Sequence, residues 1–493
     1  MMSWLGLGLL AFVGLGVLTT GLPAAVMLIV AACLGAAVGF ITGQVPIGLI
    51  GALPSRLINL LETDLMQAIP LYVLMGALIN RLPLTDALYR LSLAILPRSP
   101  AAPVVSGIAL GALLGPMNGS VGASVLALSR VVAPRLAAFG IPLPRRAAVI
   151  TVASTLGVVV PPSLVLILLG DAMLSAHTIA VTVTGRDDRV INTQDVFHGA
   201  LAPAGIYLAA CLIIAWLFNR KVKPGAAEAA SAADTRLGPR QAILAVFTLL
   251  AIVTLLGGVA AGYFYAVEAA AMGGFALLVA GIVSGRLPLP VLSELLRDVL
   301  AVTGALFFLL VAATTLTLVL RILGTDQLVA GWIAAIPGEK FTAVAVVMGG
   351  IWLSALVLDA FEIIFVVVPI VIPPLLIRAD DAVWVAVLVL LTVQTSFLDP
   401  LIGYSLMMTR TVLRESIPFF ALLRSLLPFL LAQWTLLIAV LLFPQLAHVG
   451  ANVADFSRKP PVISDDELER RLRGMLIPPP PEAPEPNFAP SGK

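Results

Sequence analysis

Hydrophobic residues run along this chain in long segments near 4–20, 23–42, 68–81, 103–130, 147–170, 199–218, 241–260, 264–283, 299–320, 341–377, 383–409 and 418–443. Runs of roughly 18 or more apolar residues are long enough to cross a hydrocarbon core as helices. Two segments, 103–130 and 341–377, are interrupted at their middles by residues that disfavour a continuous helix, and read as helical hairpins. The first run, from Trp4, has no basic residue before it. A cleaved signal peptide carries a positive leading region, so this run is expected to remain as a first helix.

Charge then orients the segments, because Lys and Arg near span ends favour the cytoplasm. Arg81, Arg90 and Arg98 precede the first hairpin, and Arg130, Arg135, Arg145 and Arg146 follow it. Both flanks are therefore cytoplasmic and 103–130 is re-entrant. The segment 147–170 crosses outward, 199–218 returns, and Arg220, Lys221, Lys223, Arg236 and Arg240 mark a cytoplasmic linker over 219–240. Thr85-Asp86 followed by Pro97 recurs as Thr325-Asp326 followed by Pro337, an offset of 240 positions. The same offset carries Asn118-Gly119 onto Leu358-Asp359, and Pro161-Pro162 to a place beside Asp399-Pro400. An odd number of crossings separates the copies, so the fold predicted is all-α and polytopic, with two inverted-topology repeats, re-entrant hairpins and broken helices. Such repeats place ligand sites near the midplane at their interface.

The divisions expected are 1–67, N-terminal scaffold helices with an interfacial segment; 68–218, first repeat; 219–240, linker; 241–298, scaffold helices; 299–443, second repeat; and 444–493, a largely disordered tail. The tail holds Pro478 to Pro481 and a short helix predicted near 465–474. The segments 84–97 and 326–337 are too short to span and begin with Thr-Asp, good helix-capping chemistry, so they read as interfacial arms. The loop 171–198, with β-branched residues flanking Gly185 to Asp188, predicts an exposed β-hairpin.

Composition narrows the function. Of 493 residues, 60% are hydrophobic and 11% charged, too few charges for a water-facing surface. The 41 glycines and 36 prolines fall often inside apolar runs, where broken backbone is tolerated only if buried in protein or lining a cavity. That points to a transporter or channel. The net charge of +2 gives no reason to expect nucleic acid. Cys33 and Cys211 lie in apolar spans, while His177, His198 and His448 lie in loops or the tail without metal spacing. No nucleophile elbow, phosphate loop or zinc motif is present, so an enzyme is not expected.

Candidate chemistry sits at the four breaks. The first tip, Gly115 to Ser124, offers Asn118, Gly119 and Ser120 as oxygen ligands for a cation, although the same run suits a small-residue packing seam. At Thr155 to Ser163, Pro161 and Pro162 remove two backbone donors and uncouple carbonyls one turn earlier. The second tip holds Asp359 and Glu362, and the second break runs from Gln394 through Thr395, Ser396 and Asp399 to Gly403. A carboxylate at mid-bilayer costs about 2.5–3.5 kcal/mol on the insertion scale, so these acids suggest a cation or proton site; Asp359 or Glu362 as helix caps is the plainer alternative. Glu268, in the first turn of a span, reads as a cap.

At these motifs the chain resembles the large permease subunit of tripartite ATP-independent periplasmic (TRAP) transporters, and looks closest to the mannitol/chloroaromatic-compound subgroup. The matching stretches are Ala68 to Gly76, Gly119 to Ala123, Thr155 to Ser163, Val267 to Ala271 and Thr395 to Gly403. The resemblance implies a scaffold plus an elevator-type transport domain in a bacterial inner membrane. It implies sodium as the coupling ion, with a proton as alternative and no organic cofactor. One sodium site would use Asn118, Gly119 or Ser120 with carbonyls of Gly157, Val160 and Pro162; the other would use the tip around Asp359 with Thr395, Ser396 and Gly403. It further implies a small four-helix membrane subunit, a periplasmic substrate-binding protein and a small organic anion as partners. The chain departs from the family pattern at Asp399-Pro400-Leu401-Ile402-Gly403, where a proline is missing and an acid has appeared. The rival readings are a stand-alone carboxylate symporter and a non-transporting membrane assembly factor.

Overall fold

The computed structural model describes residues 2–43, 52–62, 64–96, 99–185, 189–220, 238–400 and 403–449. Pro97, Arg186 to Asp188, most of the linker 219–240, Leu401, Ile402 and the tail with its helix at 465–474 lie outside the described residues. Among those described there are helices and no strand. Among the described residues, ten helices, or helix pairs read through a break, are long and apolar enough to cross a membrane. This is the expected consequence of a spanning chain, because in lipid each segment must satisfy its own backbone groups.

The chain begins with α1 (Met2–Thr20), α2 (Ala24–Ile41), α3 (Ala52–Leu61) and α4 (Asp64–Arg81). A short helix α5 (Leu84–Ile95) follows, bent by 67° from α4. The first hairpin consists of α6 (Ala102–Leu114), a 3-10 turn (Gly115–Asn118) and α7 (Val121–Ala138). Next come α8 (Leu143–Val159), a break over Val160 to Ser163, and α9 (Leu164–Thr184). After α10 (Thr193–Asn219), α11 (Pro239–Ala260), α12 (Ala266–Val283) and α13 (Leu289–Ile322), the same order returns. The short helix is α14 (Thr325–Ala335), and the hairpin is α15 (Lys340–Ser354), α16 (Ala360–Glu362), a π-helical turn (Ile363–Val367) and α17 (Val368–Arg378). Then α18 (Ala382–Phe397), a break, and α19 (Tyr404–Leu413) complete the second copy, and α20 (Phe419–Leu442) closes the fold. The chain is thus two inverted-topology repeats with interrupted helices at all four places where the sequence located them.

The core is the repeat interior. The run Leu143–Thr184 has 94% of its most apolar window buried, against 22% for Pro239–Ala260. The first belongs inside the protein, and the second turns most of its surface outward. Helix α12 packs along α4, with Gly273 admitting the Met75 sulfur. Helix α13 packs along α2.

Several expectations need correction. The stretch 171–198 is no β-hairpin: α9 runs helically to Thr184, Gly185 ends it at φ 65°, and α10 begins at Thr193. The turn is closed instead by the Ile191 amide donating to His177 Nδ1 at 3.3 Å and by an Asn192–Asp195 capping box. β-propensity mostly measures packing on a pleated surface, and with no sheet to join, the β-branched residues follow the helix. The short helices are not capped by their Thr-Asp pairs either. Pro83 and Gly324 occupy the cap positions, and Asp86 accepts from Arg90 at 2.9 Å and pairs with Arg135. The first hairpin extends to Ala138 rather than 130, continuing through Pro134. Capping by Glu268 is borne out, its carboxylate accepting from the Tyr265 amide at 2.9 Å.

Candidate functional site

The first tip is formed by the turn that ends at Asn118 and by Gly119, whose φ of +71° suits glycine. Ser120 caps α7 by accepting from the Ala123 amide at 3.2 Å. Asn118 is buried; its Nδ2 donates to Ser124 Oγ at 3.1 Å, and its Oδ1 accepts from Asn80 Nδ2 at 3.2 Å. Helix α4 therefore braces the tip by a side chain and by backbone approach, since a Cβ on Gly76 would lie 2.7 Å from Met117 O.

The α8–α9 break abuts this tip. A Cβ on Gly157 would lie 2.3 Å from the Gly115 carbonyl carbon, so the two backbones touch only because both residues are glycine. Pro161 and Pro162 remove the donors that would serve Gly157 O and Val158 O. Ser163 Oγ takes Val158 O at 3.0 Å and also caps α9 by accepting from the Leu166 amide. The 3-10 turn of the first tip thus packs along α8, with Gly157 of the break against Gly115 and Leu164, after the break, 3.7 Å from where a Cβ on Gly119 would lie.

The second tip is built on acids. Asp359 caps α16, accepting from the Ala360 amide at 2.8 Å, and Glu362 accepts from the Asp359 amide. The capping alternative holds for both, and neither carboxyl makes an ion pair among the described residues. This tip packs against α9. The α18–α19 break is differently furnished. Thr395 Oγ1 donates to Leu391 O at 2.7 Å, and Ser396 Oγ donates to Val393 O at 2.7 Å, so both hydroxyl protons are spent on their own helix. Asp399 O accepts from the Gly403 amide at 3.0 Å, bringing Asp399 and Gly403 together.

The breaks of the two repeats also meet each other. Helix α19 packs on α7 and α8, and a Cβ on Gly122 would lie 2.8 Å from the Tyr404 hydroxyl. Four buried hydroxyls stitch α8 to α19: Ser154 Oγ lies 2.8 Å from Ser405 Oγ, Ser405 Oγ donates to Thr151 O at 3.0 Å, and Thr151 Oγ1 donates to Thr409 Oγ1 at 3.2 Å. Interhelical polar contacts in membranes average about 0.6 kcal/mol, so the ladder matters as a set. The i, i+4 spacing of Ser405 and Thr409 was the available signal. Sequence reasoning also missed Asn80 and Gln433. Gln433 Nε2 donates to Leu391 O at 3.2 Å and Thr395 Oγ1 at 3.3 Å. Gln394 is fully buried with neither amide atom bonded among the described residues.

Comparisons with known proteins agree with this architecture. Residues 12–446 match the family described as "Tripartite ATP-independent periplasmic transporter, DctM component". The C4-dicarboxylate TRAP transporter large permease protein of Rhodobacter capsulatus is 24% identical over 420 residues, covering 84% of this chain and 92% of the relative. The 2,3-diketo-L-gulonate TRAP transporter large permease protein of Escherichia coli (strain K12) is 22% identical over 455 residues, covering 89% and 98%. Among solved structures, the Alcanivorax borkumensis YdaH transporter, described as having an unusual topology, aligns with a TM-score of 0.55 at 16% identity over 82% of this chain and 88% of that one. That likeness concerns the fold.

Proposed function

The chain belongs to the DctM family of tripartite ATP-independent periplasmic transporters, and on that premise we propose that it is the sodium-driven, binding-protein-dependent importer subunit for a small organic acid. It is a large permease subunit and not an enzyme. The observation that supports the coupling proposal is the Gly115–Gly157 backbone contact, by which the turn ending at Asn118 packs on the helix that breaks at Val160 to Ser163. Hard cations of this kind are bound by clustered oxygens, and interrupted helices supply carbonyls for the purpose.

In this proposal one sodium ion is held at the first tip. A second site at the other tip involves Asp359 and Glu362 with Thr395, Ser396, Asp399 and Gly403. Filling them completes a midplane substrate site, and the hairpins with α8, α9, α18 and α19 move as a transport domain against the helices of the scaffold. Moving one charge through 100 mV supplies about 2.3 kcal/mol, enough to concentrate a solute many-fold. A proton in place of the second sodium is favoured by one observation: Asp359 and Glu362 adjoin each other without an ion-pair partner among the described residues.

The inner membrane is the proposed location. A small four-helix membrane subunit, lipid and a periplasmic binding protein are the proposed partners. The outward apolar face of α11, with Ile243 and Phe247 each 71% exposed, supports a lipid or membrane-subunit contact. The relatives' names speak of C4-dicarboxylate and 2,3-diketo-L-gulonate, which supports an organic acid broadly; the mannitol/chloroaromatic subgroup remains a narrower proposal resting on motif resemblance. The test is uptake into proteoliposomes containing this chain, the small subunit and the binding protein encoded with it. An inward sodium gradient is expected to drive accumulation that potassium does not; uptake equal in both salts, or without the binding protein, defeats the proposal.

A further inference from the structure

Two arginines on the outer side of the membrane lack the partners that other outer arginines have. The charge pattern puts the end of α4 in the cytoplasm, and the Arg81–Glu294 ion pair at 3.1 Å sets the start of α13 beside it. The far end of α13, with Arg321 in its last turn, is therefore on the outer side, as is α3, which precedes α4. Tryptophan marks the depth. Thr325 Oγ1, just past α13, donates to Ser3 O at 3.4 Å, and the exposed rings of Trp4 and Trp332 meet edge to face at 5.4 Å between centroids. Tryptophan collects at the headgroup level of a bilayer, so the start of α1 and the turn from α13 to α14 lie at that level, and Arg321 with them.

Helix α3 packs on α13. At ten residues it is too short to span, and it exposes Ile58 and Leu61, as a helix lying along the interface does. Its Arg56 is half-buried, and burial, followed by the Arg321 charge, holds the guanidinium below its ordinary pKa. Neither arginine makes an ion pair or hydrogen bond among the described residues. No Asp or Glu precedes Arg56 in the chain, and Glu62 and Asp326, the first carboxylates after each arginine, pair with neither. By contrast, Arg189 pairs with Asp195 at 2.8 Å, and Arg378 donates to three carbonyls. The negative end of the α13 dipole accounts for Arg321 alone. It does not account for a second guanidinium held within reach, and arginine does not shed its proton to relieve the repulsion.

We propose that Arg56 and Arg321 together hold the phosphate of an anionic phospholipid in the outer leaflet, its acyl chains lying beside the exposed apolar residues of α3. Guanidinium forks match phosphate in charge and geometry, and one phosphate between two of them replaces their mutual repulsion by a shared attraction. The headgroup depth and the neighbouring Ile58 and Leu61 select a lipid phosphate over the free anion, because only the lipid fills both surroundings. A headgroup that carries its own cation brings no net charge to the pair, so phosphatidylglycerol is preferred to phosphatidylcholine. The bound lipid fastens the interfacial helix α3 to the outer end of α13. This inference does not depend on the transport function proposed above.

Thermal melting of the full-length chain in dodecyl maltoside micelles tests it, with phosphatidylglycerol, phosphatidylcholine of the same acyl chains, or inorganic phosphate added. Phosphatidylglycerol is expected to raise the melting temperature saturably and at lower concentration than phosphatidylcholine, and inorganic phosphate is expected to do nothing at matched concentration. Arg56→Gln and Arg321→Gln should each raise the half-saturating concentration of phosphatidylglycerol about fivefold, the worth of one basic side chain at an anionic surface. Arg240→Gln, an exposed site at the cytoplasmic start of α11, should not. Without lipid, Arg56→Gln should melt no lower than the unmodified chain, since it removes a repulsion. Equal protection by the two lipids, inorganic phosphate as effective as phosphatidylglycerol, or variants that respond to phosphatidylglycerol like the unmodified chain overturns the proposal. So does a lower melting temperature of lipid-free Arg56→Gln, which would show that a group of the protein itself already holds the arginine.

Discussion

At the scale of single residues, the sharpest claim is that glycine at 157 is required by contact rather than by backbone freedom. A methyl group there collides with Gly115 backbone, which has no rotamer with which to yield. Overpacking of this sort costs about 1–3 kcal/mol, so Gly157→Ala is expected to lower the melting temperature of the purified chain and to abolish uptake. Gly205→Ala, with nothing within 4 Å of the added carbon, is the matched control and should leave both unchanged. A second residue-scale prediction concerns His448, outside the membrane spans, whose Nε2 lies 2.6 Å from Asp381 Oδ2. That hydrogen bond, opposed by partial burial and aided by the carboxylate's charge, holds the imidazole pKa above its ordinary value. The folded value exceeds the unfolded one, so the contact stabilises fully below about pH 6.5 and fades as pH rises through the raised value. Melting curves of the wild type and His448→Gln should therefore differ at pH 5.5 and converge at alkaline pH; a gap that widens with pH would reverse the assignment.

At the scale of elements, the two short helices are fastened to their hairpins by arginines. Arg378, the last residue of α17, donates to Ile333 O at 2.7 Å, Ile336 O at 2.9 Å and Gly338 O at 2.8 Å, gathering carbonyls at the end of α14. Arg135 near the end of α7 pairs with Asp86 of α5 and lies over the Tyr89 ring at 5.1 Å. Hydrogen bonds to charged groups contribute about 1.5–3 kcal/mol each when well buried; Arg378 is half-buried, so the cluster is worth less than the sum. Arg378→Met is expected to destabilise the chain by about 1–2 kcal/mol on that basis, read as a lower melting temperature, with Arg378→Lys recovering only part because an ammonium cannot fork. The breaks were legible in sequence because proline and glycine act locally: Asn118-Gly119, Pro161-Pro162 and Asp399-Pro400 interrupt helices whatever surrounds them. The segment 171–198 was not, since its β-branched residues carry no information about whether a sheet exists to receive them. Asn80 was invisible for another reason: its importance comes from contact with Asn118, thirty-eight positions away, and lone polar residues near a span end carry no periodic signal.

At the scale of the whole molecule, the duplicated order of short helix, hairpin and broken helix brings four interruptions into one interior, while the surrounding helices keep apolar faces outward. The repeat was readable from an offset of 240 positions, but the hydroxyl ladder joining α8 to α19 depends on how the copies dock. Replacing Ser154 and Ser405 together by alanine removes a matched pair and should cost little, whereas Ser154→Ala alone leaves Ser405 with its backbone acceptor at Thr151 and should likewise fold. The ladder thus sets docking geometry more than stability, and reduced uptake by well-folded variants is its expected signature. The account depends most on cation binding at the first tip. Heating the purified chain in rising sodium or potassium chloride at constant ionic strength, for wild type and Asn118→Ala, measures that directly. The account predicts saturable stabilisation by sodium alone, lost in the variant; equal protection by potassium, or a variant that responds to sodium like the wild type, would contradict it.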